Sequence, residues 1–272
     1  MIIAQLSDTH IKPEGRLAYR RVDTAPYLAR AVQHVMDMTP RPDLVLGTGD
    51  LVDAGLPDEY RRLRAILAPL TMPVYLIPGN HDDRAALVAA FPDHTYLPRD
   101  AAFLHYVLEE YPVRLIGLDT LVPGRGGGLM CAARLRWLDA RLQEAPTRPT
   151  MIFMHHPPFR TGIAHMDALG LDNAEALGDV IRRNHQVLCI VCGHLHRPIQ
   201  MRWNGTLAMT APSTAHQVAL DLRADGPSAF VMEPPACLLH VWRPDTGLVT
   251  HTSYIGEFAG PYPFYEDGKL IG

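Results

Sequence analysis

Five short polar clusters in this 272-residue chain could bind metal ions. They are Asp8-x-His10, Gly49-Asp50-x-x-Asp53, Gly79-Asn80-His81-Asp82, His155-His156 and Gly193-His194-x-His196. Side chains at i and i+2 of an extended backbone point to the same side. Asp8 with His10, and His194 with His196, can therefore each grip one ion. The glycines at 49, 79 and 193 let the backbone turn sharply beside the ligands. A set of imidazoles, carboxylates and one amide oxygen suits borderline metals such as Fe, Mn, Zn or Co. It does not suit a calcium cage, which takes all-oxygen ligation. No cysteine joins at ligand spacing, which argues against a structural zinc site.

The elements that must carry these clusters are legible from periodicity. Apolar runs at Ile2–Leu6, 43–46, Val74–Ile77, Thr150–Met154 and 187–191 each end directly before a cluster, and a further run at 113–118 ends at Asp119. Helical spacing marks 24–38, 58–67 and 132–142. Strands alternating with helices predict an α/β sandwich with largely parallel sheets. In such sheets sites lie beyond the carboxyl ends of the strands, so fold and clusters point to one site. After about His196 the texture becomes β-rich. Ile199–Trp203 and Thr206–Thr210 flank the hairpin signal Asn204-Gly205, and strand-like runs follow at 229–232, 237–241 and 248–254. The organisation expected is a catalytic domain over 1–197, a β-rich extension packed on it over 198–256 and a C-terminal arm over 257–272.

In order along the chain, DxH, GDxxD, GNHD, His and GHxH resemble the signature of calcineurin-like metallophosphoesterases, from Asp8 to His196. The contexts IPGNHDD and FMHHPP, and the β-rich C-terminal part, resemble the branch holding class III cyclic nucleotide phosphodiesterases and bacterial glycerophosphodiesterases. The resemblance implies a four-layer αββα sandwich with a small antiparallel extension that caps the site and pairs subunits. It implies two divalent metal ions. Asp8, His10 and His196 would bind the first, Asn80, His155 and His194 the second, and Asp50 would bridge them. His81 would sit over the substrate as a phosphate contact or proton donor. The implied reaction is hydrolysis of a small phosphodiester by in-line attack of a metal-bound hydroxide, with Asp50, Asn80 and His81 as the catalytic group. Two divalent ions less two carboxylates leave a local charge of roughly +2, which attracts a phosphodiester even to an acidic protein.

The phosphomonoesterase branch usually carries an arginine directly after the second aspartate of GDxxD. Here that residue is Ala54, so a bidentate phosphate clamp is missing at this point and diesters are favoured. Phosphomonoesters and phosphonate monoesters are the alternative substrates. Arg125, Arg160 and Arg197 could compensate, and Arg197, which follows the last ligand, is a candidate substrate contact. His216 and Tyr19 are candidates for the substrate pocket. Asp53 is either a partner for a ligand histidine or a turn former, and His156 packs beside the ligands. The other histidines read as structural.

Composition narrows the partners. A net charge of −4 offers no broad basic surface for long nucleic acid, which disfavours a nuclease, and the full ligand set disfavours a non-catalytic scaffold. The opening MIIAQLSDTH is not a signal peptide, no run of ~18 apolar residues suggests a membrane span, and four scattered cysteines fit a reducing, cytoplasmic setting. Cys189-x-x-Cys192 lies in an apolar strand, whose i and i+3 positions face opposite sides; it reads as core. The glycine-rich stretch 124–128 lacks a phosphate-loop ending and reads as a turn or lid. Phe230, Val231, Leu238, Leu239 and Trp242 could form an apolar contact between subunits of a homo-oligomer built on a dimer.

Overall fold

The computed structural model describes residues 1–271. In chain order the elements are β1 (Ile2–Leu6), α1 (Thr24–Asp37), β2 (Leu44–Thr48), α2 (Pro57–Leu67), β3 (Val74–Ile77), α3 (Arg84–Ala90), β4 (Tyr106–Leu108) and β5 (Arg114–Leu118). There follow β6 (Gly128–Leu129), α4 (Ala132–Gln143), β7 (Thr150–Met154), α5 (Ala164–Asp167), β8 (Leu171–Asp172), α6 (Ala174–Arg183) and β9 (Val187–Cys192). The C-terminal third adds β10 (Ile199–Trp203), β11 (Thr206–Thr210), β12 (Gln217–Val218), β13 (Phe230–Val231), β14 (Ala236–Arg243), β15 (Gly247–Tyr254), β16 (Tyr265–Glu266) and β17 (Lys269–Leu270).

Two mixed sheets form the inner layers of a four-layer αββα sandwich. One runs β15-β14-β1-β2-β3 and the other β10-β11-β9-β7-β5-β4. The centre of each is parallel: β1 with β2 and β2 with β3, β5 with β7 and β7 with β9. Burial on both faces of a strand, whose side chains alternate with a two-residue period, explains why the central runs are mostly apolar. Leu115, Met151, Phe153, Cys189 and Val191 join one buried cluster, together with residues of β1–β3, α1 and α2. Their neighbours Ile116, Leu118, Ile152, Met154, Ile190 and Cys192 join a second cluster with Leu138, Leu142, Leu177 and Ile181 of α4 and α6. Each fully buried leucine or isoleucine contributes about 1.5–3 kcal/mol. The same alternation separates Cys189 from Cys192 across the sheet, and both are free and buried.

Residues 198–256 are woven into the sandwich rather than laid on it. β10 and β11 extend the second sheet, and β14 pairs antiparallel with β1 from Ile2↔Val241 to Gln5↔Leu238. β1 becomes a central strand only when β14 covers its edge. Within 198–256, the short β12–β13 ladder stands outside both sheets. Leu238 is 2% exposed and belongs to the core, so it is withdrawn from the apolar subunit contact; Leu239 and Trp242 are half-buried against the same core. The arm from 257 to 271 is exposed throughout and ends in the β16–β17 hairpin.

Candidate metal centre

Every ligand cluster leaves the carboxyl end of a parallel strand: Asp8 and His10 after β1, Asp50 after β2, Asn80 after β3, His155 after β7, and His194 and His196 after β9. The chain there is not extended. Asp8, His10, Asp50, His194 and His196 all have positive φ, between 42° and 71°. The paired ligands thus share a target through left-handed turns and not through strand alternation. Non-glycine residues seldom adopt this conformation, at a cost on the order of 1–3 kcal/mol each. Concentration of that strain at five ligand positions marks a site that the surrounding fold over-determines. Gly49 and Gly79 make the turns compatible. A Cβ at Gly79 would lie 2.3 Å from Asp50 Oδ1, and one at Gly49 would lie 2.8 Å from the Gly79 backbone.

The seven expected ligands converge as two sets. The ligating atoms of Asp8, His10, Asp50 and His196 lie within 4.8 Å of one another. His155 and His194 form the core of the second set, and Asn80 Oδ1 is 3.1 Å from His155 Nε2. Asp50 stands between them, its Oδ2 being 3.6 Å from His10 Nε2 and 3.3 Å from His155 Nε2. Its Oδ1 accepts the backbone N–H of His81 at 2.9 Å. That is the placement a bridging carboxylate needs.

Hydrogen bonds on the far side of each ring choose the free nitrogen. His155 Nδ1 donates to Thr48 O at 2.9 Å and leaves Nε2 to the centre. His196 Nδ1 donates to His216 O at 3.0 Å, again freeing Nε2. His194 Nε2 donates to Leu169 O at 3.0 Å and leaves Nδ1. His10 turns Nδ1 toward Asp53 Oδ1 at 3.4 Å, and its Nε2 is 3.1 Å from His196 Nε2. Asp53 is thus the partner of a ligand histidine; its carboxylate also binds Lys12 and its carbonyl accepts Nδ1–H of His81 at 2.7 Å. Both nitrogens of His156 are engaged, with Thr120 Oγ1 and Gly126 O, so it packs behind the ligands as expected.

The donor set fits two divalent cations. Asp8 and Asp50 are buried without a lysine or arginine partner among the described residues, and Asp8 Oδ2 has no hydrogen-bond partner. Unpaired buried carboxylates are costly, and a cation satisfies both. Burial pushes the Asp8 carboxyl up to about 6. Burial acts on Asp50 in the same direction but is outweighed by His155, His81 and His10, which hold it well below the usual carboxylate value. Burial, then the charge of His155, lowers His194 to about 3. His194 therefore presents a neutral imidazole, the ligating form.

The centre opens into a cavity of about 350 Å³ lined by His10, Asp50, Asn80, His81, His194 and His196, with Tyr19, His216, Phe230, Met166 and Leu169 around the outside. His81, Tyr19 and His216, the residues expected at the substrate pocket, line this cavity. The His216 ring is 1% exposed, both its nitrogens lack partners among the described residues, and it packs 4.7 Å from His196 and 5.2 Å from Tyr19. Arg197, one residue beyond His196, donates to Val218 O and to Glu233 and is not among the residues lining this cavity. Arg125 and Arg160 line a neighbouring cavity of about 580 Å³ that shares Met166, Leu169 and His194 with the first. Phe230, read from sequence as a subunit contact, instead lines the metal cavity. Met166 and Leu169, from α5 and the turn after it, belong to no motif, and His165 of α5, read from sequence as structural, also lines the cavity.

Comparison with known proteins follows the same lines. Residues 1–198 match the profile of the calcineurin-like phosphoesterases. The chain is 45% identical over 273 residues to "Probable glycerophosphodiester phosphodiesterase" of Arcobacter nitrofigilis, covering 100% of both chains. It is 30% identical over 215 residues to the 3',5'-cyclic adenosine monophosphate phosphodiesterase of Escherichia coli, covering 79% of this chain and 76% of that one. Among solved structures, a dimetal phosphatase from Danio rerio shares the fold, with a TM-score of 0.64 at 18% identity, covering 94% of this chain and 99% of that one.

Proposed function

This chain belongs to the calcineurin-like phosphoesterase family, and from that premise we propose that it hydrolyses small phosphodiesters, of the glycerophosphodiester or cyclic nucleotide kind. One observation carries the diester reading: among the described residues, no lysine or arginine lines the metal cavity. Ala54 occupies the clamp position, Arg197 is tied to Glu233, and Arg125 and Arg160 lie beyond the Leu169 wall. A dianionic monoester would meet no guanidinium fork there, whereas a monoanionic diester needs none. The names of the relatives, which point to glycerophosphodiesters and to cyclic AMP, support the same choice.

When bound, two divalent ions supply Lewis-acid charge and an activated water. Asp8, His10 and His196 would hold one, Asn80, His155 and His194 the other, and Asp50 both. Fe, Mn, Zn and Co all suit these donors. The chain's own part is to orient the ester and to move a proton. His81 holds its Nδ1–H on the Asp53 carbonyl, which leaves Nε2 to the cavity; in the imidazolium form Nε2 carries the second proton and can donate it to the leaving alkoxide, returning the ring to the neutral Nδ1–H tautomer. His216 and Tyr19 form the wall against which the leaving group rests.

The test is a panel comparing bis(p-nitrophenyl) phosphate, glycerophosphoethanolamine, cyclic AMP and p-nitrophenyl phosphate with Mn²⁺ or Zn²⁺. A diester kcat/KM exceeding that of the monoester is the expected result; the reverse order overturns the proposal.

A homo-oligomer built on a dimer is part of the proposal, with a changed surface. Leu238 is core, so the contact would use the exposed Val231 and Met232 beside the exposed arm that carries Phe258, Phe264 and Leu270. Size-exclusion chromatography with light scattering giving a monomer would remove this element. Among the described residues no helix is long and apolar enough to cross a membrane.

A further inference from the structure

The two loops that supply Asp50, Asn80 and His81 are joined by a buried carboxylate that is itself no ligand. Asp82, 7% exposed, accepts Gly79 N–H at 2.8 Å and Leu51 N–H at 3.1 Å on Oδ2, and Val52 N–H at 3.4 Å on Oδ1. One side chain from outside both loops reaches this node. The hydroxyl of Tyr60, on the first turn of α2, donates to Asp82 Oδ1 at 2.8 Å and accepts Asp83 N–H at 2.9 Å. Tyr60 is wholly buried. Its neighbour Glu59, also buried, reaches back to accept the N–H groups of Ala54 at 2.9 Å and Leu56 at 3.1 Å. Those bonds fix the stretch just after Asp53, whose carbonyl orients His81. Two consecutive residues of α2 therefore fasten both halves of the centre from behind.

We propose that Tyr60 is a positioning residue for the metal and proton-donor groups, acting through Asp82. The inference rests on the reading of the centre as a two-metal phosphodiesterase site. The physical reason is tolerance. Asp50 Oδ2 lies between two ligand sets, and Asn80 and His81 approach it from the other loop, so a small relative shift of the loops changes both the bridge and the second ligand set. Two bonds of His81 cross the loops directly, its N–H to Asp50 Oδ1 at 2.9 Å and its Nδ1–H to the Asp53 carbonyl at 2.7 Å. Asp82 supplies the rest of the register, and the Tyr60 hydroxyl holds Asp82 in place. Removing that hydroxyl takes one donor from a buried carboxylate and one acceptor from Asp83 N–H, and it leaves every ligand side chain intact.

The experiment compares Tyr60→Phe with Tyr106→Phe in the full chain. Tyr106 also spends a buried hydroxyl on a single bond, to Leu76 O at 2.8 Å, and lies outside the cavity lining, so it reports the loss of a buried hydroxyl without the node. Calorimetric titration of metal-stripped protein with Mn²⁺ alone, with Tm recorded for each variant, reads the centre independently of turnover. For Tyr60→Phe the expected result is weaker binding of the second ion by about tenfold, within the range that outer-shell substitutions produce. With bis(p-nitrophenyl) phosphate, kcat is expected to fall by a similar factor at nearly constant KM. Tyr106→Phe is expected to keep both at a comparable loss of Tm. Unchanged Mn²⁺ binding in Tyr60→Phe, or equal weakening in both variants, overturns the proposal. If Tyr60→Phe does not yield folded protein, Asp82→Asn reads the same node, and retention of wild-type Mn²⁺ affinity there overturns it. Absence of diester hydrolysis by the wild type would instead fail the functional reading and leave the Mn²⁺ comparison standing.

Discussion

The imidazole of His81 donates its Nδ1–H to the backbone carbonyl of Asp53 at 2.7 Å, while the Asp53 carboxylate faces Nδ1 of the ligand His10 at 3.4 Å. One residue thus orients the proton donor with its main chain and a metal ligand with its side chain. The two roles can be separated by mutation.

His81→Ala is expected to keep both metal ions and to lower kcat on a diester by roughly 10²–10⁴-fold, the usual contribution of a positioned proton donor. Elemental analysis of the purified variant beside steady-state kinetics checks this. Loss of metal in proportion to activity would place His81 among the ligands instead.

Asp53→Asn keeps the main-chain carbonyl and therefore the His81 tautomer. It removes the charge that faces His10 and Lys12. The expected effect is a 10–100-fold weaker first metal site, with activity restored at saturating Mn²⁺. Activity that stays low at saturation would show that the carboxylate acts on the substrate step.

Arg197 follows a ligand in sequence yet is paired with Glu233, whereas His216 is buried in the cavity wall with both nitrogens free of partners. Arg197→Gln should leave KM for bis(p-nitrophenyl) phosphate within about twofold, because its guanidinium is engaged by Glu233 and Val218 O outside the cavity lining. His216→Ala should change KM or kcat by tenfold or more, on the order of one lost hydrogen bond to a charged group. Side-by-side kinetics decide it, and the opposite ranking would mean that the two side chains exchange roles on substrate binding.

His105 is buried beside Phe103 and Trp137, accepting the N–H of Asp119 on Nδ1 at 3.0 Å. Burial lowers it to about 4, so it is neutral in the fold. Its unfolded form takes up a proton near 6.5. Between about 6.5 and 4 the unfolded state binds more protons, so stability is fully present above the unfolded value and is lost as pH falls through this window. The slope is about 1.4 kcal/mol per pH unit for one group. Denaturant unfolding of metal-stripped protein should show a shallower acid slope in His105→Gln than in the wild type. Parallel slopes would mean that His105 is protonated in the fold.

Much of the centre was legible because its ligands are fixed to strand ends by chain order. An apolar run followed by DTH, GTGD, PGNHDD, HHPP or CGHLH states both the element and the donor, and the parallel centres of the sheets bring those ends to one edge. Periodicity likewise located α1, α2, α4 and the Asn204-Gly205 hairpin to within a residue or so. It missed α6, although Leu177, Val180 and Ile181 form a buried stripe there, and it took the ligand pairs as extended.

What the sequence by itself determined is the inventory of candidate ligands, its order and the absence of an arginine at position 54, since these are chemical identities. Only the tertiary structure decided the rest. Left-handed turns aim the ligands, because the backbone there answers to packing such as that of Gly79 against Asp50 and not to local propensity. β14 completes the sheet of β1 across more than 230 residues of chain, a non-local pairing that no window of sequence reveals. Arg197 is taken up by Val218 O and Glu233, and Phe230 joins the cavity lining with Val218, its partner in the β12–β13 ladder. Tyr60 could not be singled out at all. A tyrosine on an amphipathic helix reads as core, and the hydroxyl acquires its meaning from the carboxylate of Asp82, which the fold carries to within 2.8 Å.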